Sequence, residues 1–165
     1  MLTQVPLTLI DISSLQRAVG SSTVQQGTAV VFAHGIARGN PGPGGAGAVI
    51  ALAGDIQETI SKFCGVTTND IAEYTGLILG LERALELGFK QVEVRMDSDS
   101  VVKQINGFYR VKVDRLIPLY HQAMSLSRKF AEFKIIHIQS EFNKEADRLA
   151  NQAMDQGLTG SSPLS

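Results

Sequence analysis

Gln91-Val92-Glu93-Val94-Arg95-Met96-Asp97-Ser98 is the stretch on which the fold class turns. Val92, Val94 and Met96 alternate with polar residues, the two-residue period of a strand with one apolar face. Asp97 stands at the C-terminal end of that strand, and Ser98 to Asn106 reads as a helix. Open α/β sheets place their ligands at the C-terminal ends of strands, so Asp97 stands where chemistry is expected.

Upstream, Leu77, Ile78, Leu81, Ala84 and Leu85 recur at helical spacing over Asn69 to Leu87, and Gly88 suits the position just past a helix end. Thr28 to His34 is rich in β-branched and apolar residues and reads as a buried strand. Arg38 to Gly45 is a turn signal crowded with Gly and Pro. Gly45 to Ala53 and Gln57 to Cys64 read as two more strands about a Gly54-Asp55 turn, which makes an antiparallel meander. Downstream, Gly107 to Arg115 separates the helix from a second one over Leu116 to Phe130, where Pro118 is tolerated in the first turn. Phe133 to Gln139 is a fifth strand. Asn143 to Met154 is a closing helix with Ala146, Leu149, Ala150 and Ala153 on its inner face. The order β-β-β-α-β-α-α-β-α predicts an α/β domain built on a five-stranded mixed sheet flanked by helices.

The chain of 165 residues fits one domain, with residues 28–156 as its body. Residues 1–27 read as an N-terminal extension, with a short helix from Leu9 to Val19 and a linker at Gln25-Gln26-Gly27. Residues 157–165 read as a loose tail. A net charge of −1 excludes a generally basic nucleic-acid coat but leaves room for a local basic face. A single cysteine, Cys64, excludes disulfide frameworks and Cys-based zinc clusters, and it reads as a small buried residue. The apolar runs are too short to span a bilayer. These features point to a cytoplasmic monomer with no membrane partner.

Three acids stand out from the sixteen. Glu73 lies four residues before Leu77 and continues the apolar stripe of its helix. Asp97 ends a buried strand. Asp147 lies on or beside the inner face of the last helix. Inward carboxylates from three separate elements repel one another unless a cation sits among them, which points to an oxygen-ligated Mg²⁺ or Mn²⁺ site. Spacing alone equally allows each acid to be a cap or a rim residue. Gly42-Pro43-Gly44-Gly45-Ala46-Gly47 formally matches a dinucleotide-binding G-x-G-x-x-G. It precedes a strand rather than a helix, which removes that reading.

Taken together, Arg38–Gly45, Thr68-Asn69-Asp70-Ile71-Ala72-Glu73, Met96-Asp97-Ser98 with Val101–Gly107, and Asn143–Ala150 resemble ribonuclease H of type 1, of the archaeal and Bacillus-like kind. The resemblance covers about residues 28–156. It implies the ribonuclease H-like fold and cleavage of the RNA strand of RNA–DNA hybrids by two metal ions held by four carboxylates. Glu73, Asp97 and Asp147 match three of the four. Where the family has Asp at the end of its first strand, this chain has His34. Imidazole offers one nitrogen lone pair and no negative charge, so it cannot bridge two ions through two oxygens. Mn²⁺ accepts imidazole more readily than Mg²⁺ does. His34 is therefore expected either to act as an altered fourth ligand or to fill the strand end as a neutral histidine. The function expected is a metal-dependent endoribonuclease acting on RNA–DNA hybrids with activity impaired by His34; the alternative is a catalytically inactive ribonuclease H-fold module that binds nucleic acid.

Further expectations rest on the same resemblance. It places Lys103, Arg110 and Lys112, with Arg115, near the DNA strand. Arg38 would contact RNA phosphate or sugar, and Asn40 and Asn69 would reach 2′-hydroxyls. Asp70 and Asp99 replace uncharged residues of the family and are expected to repel the hybrid rather than donate to it.

Overall fold

The computed structural model describes residues 25–160. β1 (Gln25–Ala37), β2 (Gly42–Leu52), β3 (Asp55–Thr67), α1 (Asn69–Glu86), β4 (Phe89–Met96), α2 (Asp99–Ile105), α3 (Ile117–Ser127), β5 (Glu132–His137) and α4 (Lys144–Thr159) follow in that order. Short 3-10 turns lie at Asp114–Leu116 and Ser140–Phe142. The strands form one sheet in the order β3-β2-β1-β4-β5. β1 pairs antiparallel with β2 and parallel with β4, so the meander joins the parallel half at β1. The expected element order and mixed sheet are both present.

β1 is apolar at every position from Ala29 to Ala33 because helices cover both faces of the sheet there. Ala29, Val31 and Ala33 face α1 and pack with Ile50, Val92, Val94, Tyr74, Leu77 and Leu81 in the main core. The alternate residues turn toward the face that carries α4. Two close approaches set the helices against the sheet. A Cβ on Gly35 would fall 2.0 Å from the carbonyl carbon of Ala72, so β1 and α1 touch backbone to backbone. A Cβ on Gly47 would fall 2.6 Å from the Ala146 carbonyl oxygen, so β2 rides equally close to α4.

Four expectations need correction. Gln25-Gln26-Gly27 belongs to β1 and is not a linker. Gln25 pairs with Phe89 and Thr28 with Gln91, and the register shifts between them at Gly27, whose φ is 88°. A free partner edge on β4 overrides the turn-like composition, and glycine absorbs the bulge. Gly42 to Gly45 pairs with β3 as part of β2, and Gly44 and Gly45 pair with β1 as well, so the turn shrinks to residues 38–41. α4 continues through Gly157 to Thr159 rather than giving way to a tail. Gly157 is used there for contact and does not break the helix: a Cβ would fall 2.1 Å from the Phe63 ring. The ordered body thus extends beyond 28–156 at both ends. The helix expected over Leu9–Val19 and the end of the tail lie outside the described residues. Cys64 is half-buried rather than buried, on edge strand β3.

Candidate active site

β1 and β4 run parallel with Ala33 opposite Met96, so their C-terminal ends bring His34 and Asp97 side by side. His34 lies on the α4 side of the sheet, directly across from Gly47 of β2. The close contact of Gly47 with α4 brings Asp147, in the first turn of that helix, to the same point. The contact of Gly35 with Ala72 and Glu73 backbone brings Glu73 to the strand end from α1. Four residues far apart in sequence thus meet through two glycine contacts and one strand register.

His34 sits between the two aspartates. Its Nδ1 is 3.0 Å from Asp97 Oδ1 and its Nε2 is 3.1 Å from Asp147 Oδ1. A carboxylate only accepts, so Nδ1 carries a proton. Nε2 is sealed from solvent and its contact with Asp147 is off the hydrogen-bond line; it forms a close ion pair without a directed bond. The His34 and Asp97 side chains are 14% and 16% exposed, whereas Asp147 is 50% exposed. Burial works against a charged His34, but the Asp97 hydrogen bond and the charges of Asp97, Asp147 and Glu73 outweigh it and raise its pKa. Burial likewise opposes ionisation of Asp97, and hydrogen bonds from His34 and Asn143 overcome it and hold its pKa low. Burial dominates at Glu73 and pushes it up to about 7, against a hydrogen bond from Ser98 and the charge of His34.

Asn143 is the site residue that the sequence reading missed. It is buried, and its Nδ2 donates to both the Ala33 carbonyl and Asp97 Oδ1, at 2.9 Å each. It therefore ties the start of α4 to the ends of β1 and β4. A polar residue just ahead of an amphipathic helix was the available signal, and it reads equally well as an ordinary helix cap. Asn151 extends the network by donating to the Asp147 carbonyl and to Asp147 Oδ1.

The expected hybrid contacts divide in two. Arg38 is paired with Asp155 at 2.7 Å and reaches Asn151, so it braces the β1–β2 turn on α4. The Asn40 side-chain oxygen accepts from the Asn69 N–H, and that of Asn69 accepts from the Ala37 N–H. Lys103 is paired with Asp99 at 3.0 Å and lies over the Tyr109 ring. Arg110 and Lys112 are exposed, and among the described residues no ion pair holds either of them. The aspartates expected to repel the hybrid are neutralised locally. Asp99 has Lys103. Asp70 accepts from Arg115 at 2.8 Å and from Thr68 and the Ile71 N–H. Burial would raise the Asp70 pKa, and these donors together bring it below the ordinary value.

The family implied by these motifs depends on divalent metal. Among the described residues, no three His, Cys, Asp or Glu side chains converge closely enough to hold an ion. Asp97 and Asp147 instead face opposite nitrogens of the His34 ring. As arranged, these residues do not fit a carboxylate-bridged two-ion centre.

Sheet order and strand-end cluster define a ribonuclease H-like domain. The model of the reverse transcriptase-like family matches residues 33–153, and the chain belongs to that family. It is 43% identical over 128 residues to a bifunctional protein of Mycobacterium tuberculosis, covering 76% of this chain and 35% of that protein. It is 37% identical over 125 residues to ribonuclease HI of Halobacterium salinarum, covering 75% of this chain and 63% of that protein. The chain thus spans about a third of the first of these relatives and under two thirds of the second. Among solved structures it matches LC11-RNase H1 in complex with an RNA/DNA hybrid, from compost metagenome. The TM-score is 0.75 and the identity 38%, covering 79% of this chain and 99% of that one.

Proposed function

We propose that this chain is a hybrid-directed ribonuclease H whose cleavage of the RNA strand is curtailed by His34. One observation carries the reading: Glu73, Asp97 and Asp147 converge from α1, β4 and α4 at a single strand end, and a histidine stands among them. The relatives named ribonuclease H are hydrolases, and one was solved with a hybrid. The flanks supply matching chemistry. The side-chain oxygens of Asn40 and Asn69 are engaged internally, which leaves their NH₂ groups as donors toward 2′-hydroxyl or base-edge acceptors. Arg110 and Lys112 offer unpaired positive charge to a phosphate backbone. Arg115 ties their loop to the first turn of α1, beside Glu73.

In this reading the residues divide the work. The loop cations and asparagines hold the hybrid. Asn143 fixes the carboxylate of Asp97, and Glu73 stands opposite on α1. The test is cleavage of an end-labelled RNA–DNA hybrid by this chain, His34→Asp and Asp97→Asn, in Mg²⁺ and in Mn²⁺. The chain itself should cut weakly or not at all, and His34→Asp should gain cleavage at internal RNA positions. Asp97→Asn should be silent. A His34→Asp chain that binds hybrid yet never cuts would favour a nucleic-acid-binding module over an impaired nuclease.

A further inference from the structure

Resting on that reading, we infer that His34 closes the centre to divalent ions, so that the chain grips a hybrid without metal and leaves its RNA strand uncut. The imidazole stands where two aspartates would have to share an ion. Ligand oxygens on one Mg²⁺ lie about 2.1 Å from it, so two of them are at most about 4.2 Å apart. Here Asp97 Oδ1 and Asp147 Oδ1 sit against the two nitrogens of the ring, at 3.0 and 3.1 Å, so each carboxylate is turned to the imidazole rather than to a shared ion.

The histidine also makes a poor ligand in this position. Nδ1 is bonded to Asp97, and Nε2 is sealed from solvent against Asp147. The ring is held from both sides by the two aspartates, and the backbone that carries it is pinned on α1. A Cβ on Gly76 would fall 2.5 Å from the His34 carbonyl oxygen, and one on Gly35 would fall 2.0 Å from Ala72. Asp97 Oδ1 already accepts from both His34 and Asn143, which leaves it little capacity for a metal. The cation that this carboxylate cluster needs is thus supplied by a side chain of the protein, whereas in a two-ion centre solution supplies it.

The groups that would hold a hybrid do not depend on that centre. Asn40 and Asn69 are fixed by the β1–β2 turn and the start of α1, and Arg110 and Lys112 lie on the loop after α2. Their geometry is set by contacts among protein atoms alone.

The decisive experiment measures Mn²⁺ uptake by electron paramagnetic resonance, with no nucleic acid present. The full chain is compared with His34→Asp and His34→Ala. The chain should take up no stoichiometric Mn²⁺, and His34→Asp should bind at least about tenfold more tightly. If His34→Asp does not fold, His34→Ala removes the ring without adding charge and should gain weaker uptake. Mn²⁺ binding by the chain itself, equal to that of either variant, overturns the inference. In a second arm, the hybrid affinity of the chain should change by less than about twofold when EDTA replaces Mg²⁺. Loss of binding on chelation also overturns the inference. Failure to bind hybrid in either condition overturns the proposed function instead, since the Mn²⁺ titration is made without nucleic acid.

Discussion

At the ends of β1 and β4 charged groups meet one another. His34 lies between Asp97 and Asp147, Asn143 and Asn151 donate to those aspartates, and Arg38 is paired with Asp155 nearby. Along residues 107–115 the pattern is the reverse. Arg110 and Lys112 stand exposed without partners among the described residues, beside Phe108 at 76% exposure and Tyr109 at 49%. The strand-end cluster is turned on itself, with its charged groups partnered within the protein. The loop leaves positive charge and aromatic surface for something outside. The difference teaches that holding and cutting can separate on this fold, because the contacts that order the one region are not those that order the other.

The heaviest blow to the strand-end side comes from the backbone. Gly35→Ala puts a methyl group where Ala72 already lies, and both elements are main chain with no flexible end to yield. We expect a loss of at least about 3 kcal/mol in urea unfolding, or no soluble protein at all. An unchanged midpoint would mean that α1 does not rest directly on β1, and the account of how Glu73 reaches His34 would fail with it.

Titration gives a smaller effect in the same region. Glu73 is pushed up to about 7 and His34 is also raised, so each binds its proton more tightly in the folded chain than in the unfolded one. The folded state then holds more protons than the unfolded state, and stability falls as pH rises. The loss should begin above the ordinary carboxylate range and run through pH 7 into the folded pKa of His34. It should amount to about 2–3 kcal/mol between pH 5 and pH 8. Urea unfolding across that range measures it, and Glu73→Gln should flatten most of the slope. A stability that climbs over this range would mean that the cluster carries its charges in some other way.

These two effects also mark what could be read from the sequence. The strand and helix order was legible because apolar periodicity is local, and Val92, Val94 and Met96 or Leu77, Leu81 and Ala84 need no partner to announce themselves. The three carboxylates were legible because each interrupts an apolar pattern. The pairing of His34 with both Asp97 and Asp147 was not, since it depends on the register of β1 against β4 and on a glycine contact between β2 and α4. Asn143 was missed for the same reason: its two acceptors come from residues 46 and 110 positions away. Gly157 was placed in a loose tail because composition shows a missing side chain but not the Phe63 ring that fills the space. Asp70 and Asp99 looked repulsive in isolation, and only the fold places Arg115 and Lys103 beside them.

The smallest effect tests the open side of the comparison. Arg110→Ala with Lys112→Ala removes two unpaired cations, whereas Lys103→Ala removes one already balanced by Asp99. If the loop grips phosphate, the double change should weaken hybrid binding roughly tenfold at low salt. It should also lower the slope of log affinity against log salt by about 1.5. Lys103→Ala should move both quantities less, because it removes one cation rather than two and that cation is already engaged by Asp99. Fluorescence anisotropy of a labelled hybrid across a salt series separates the cases. Equal effects from Lys103 and from the Arg110–Lys112 pair would mean that the Lys103–Asp99 pair opens on binding, and the line between committed and available charge would have to be redrawn inside α2.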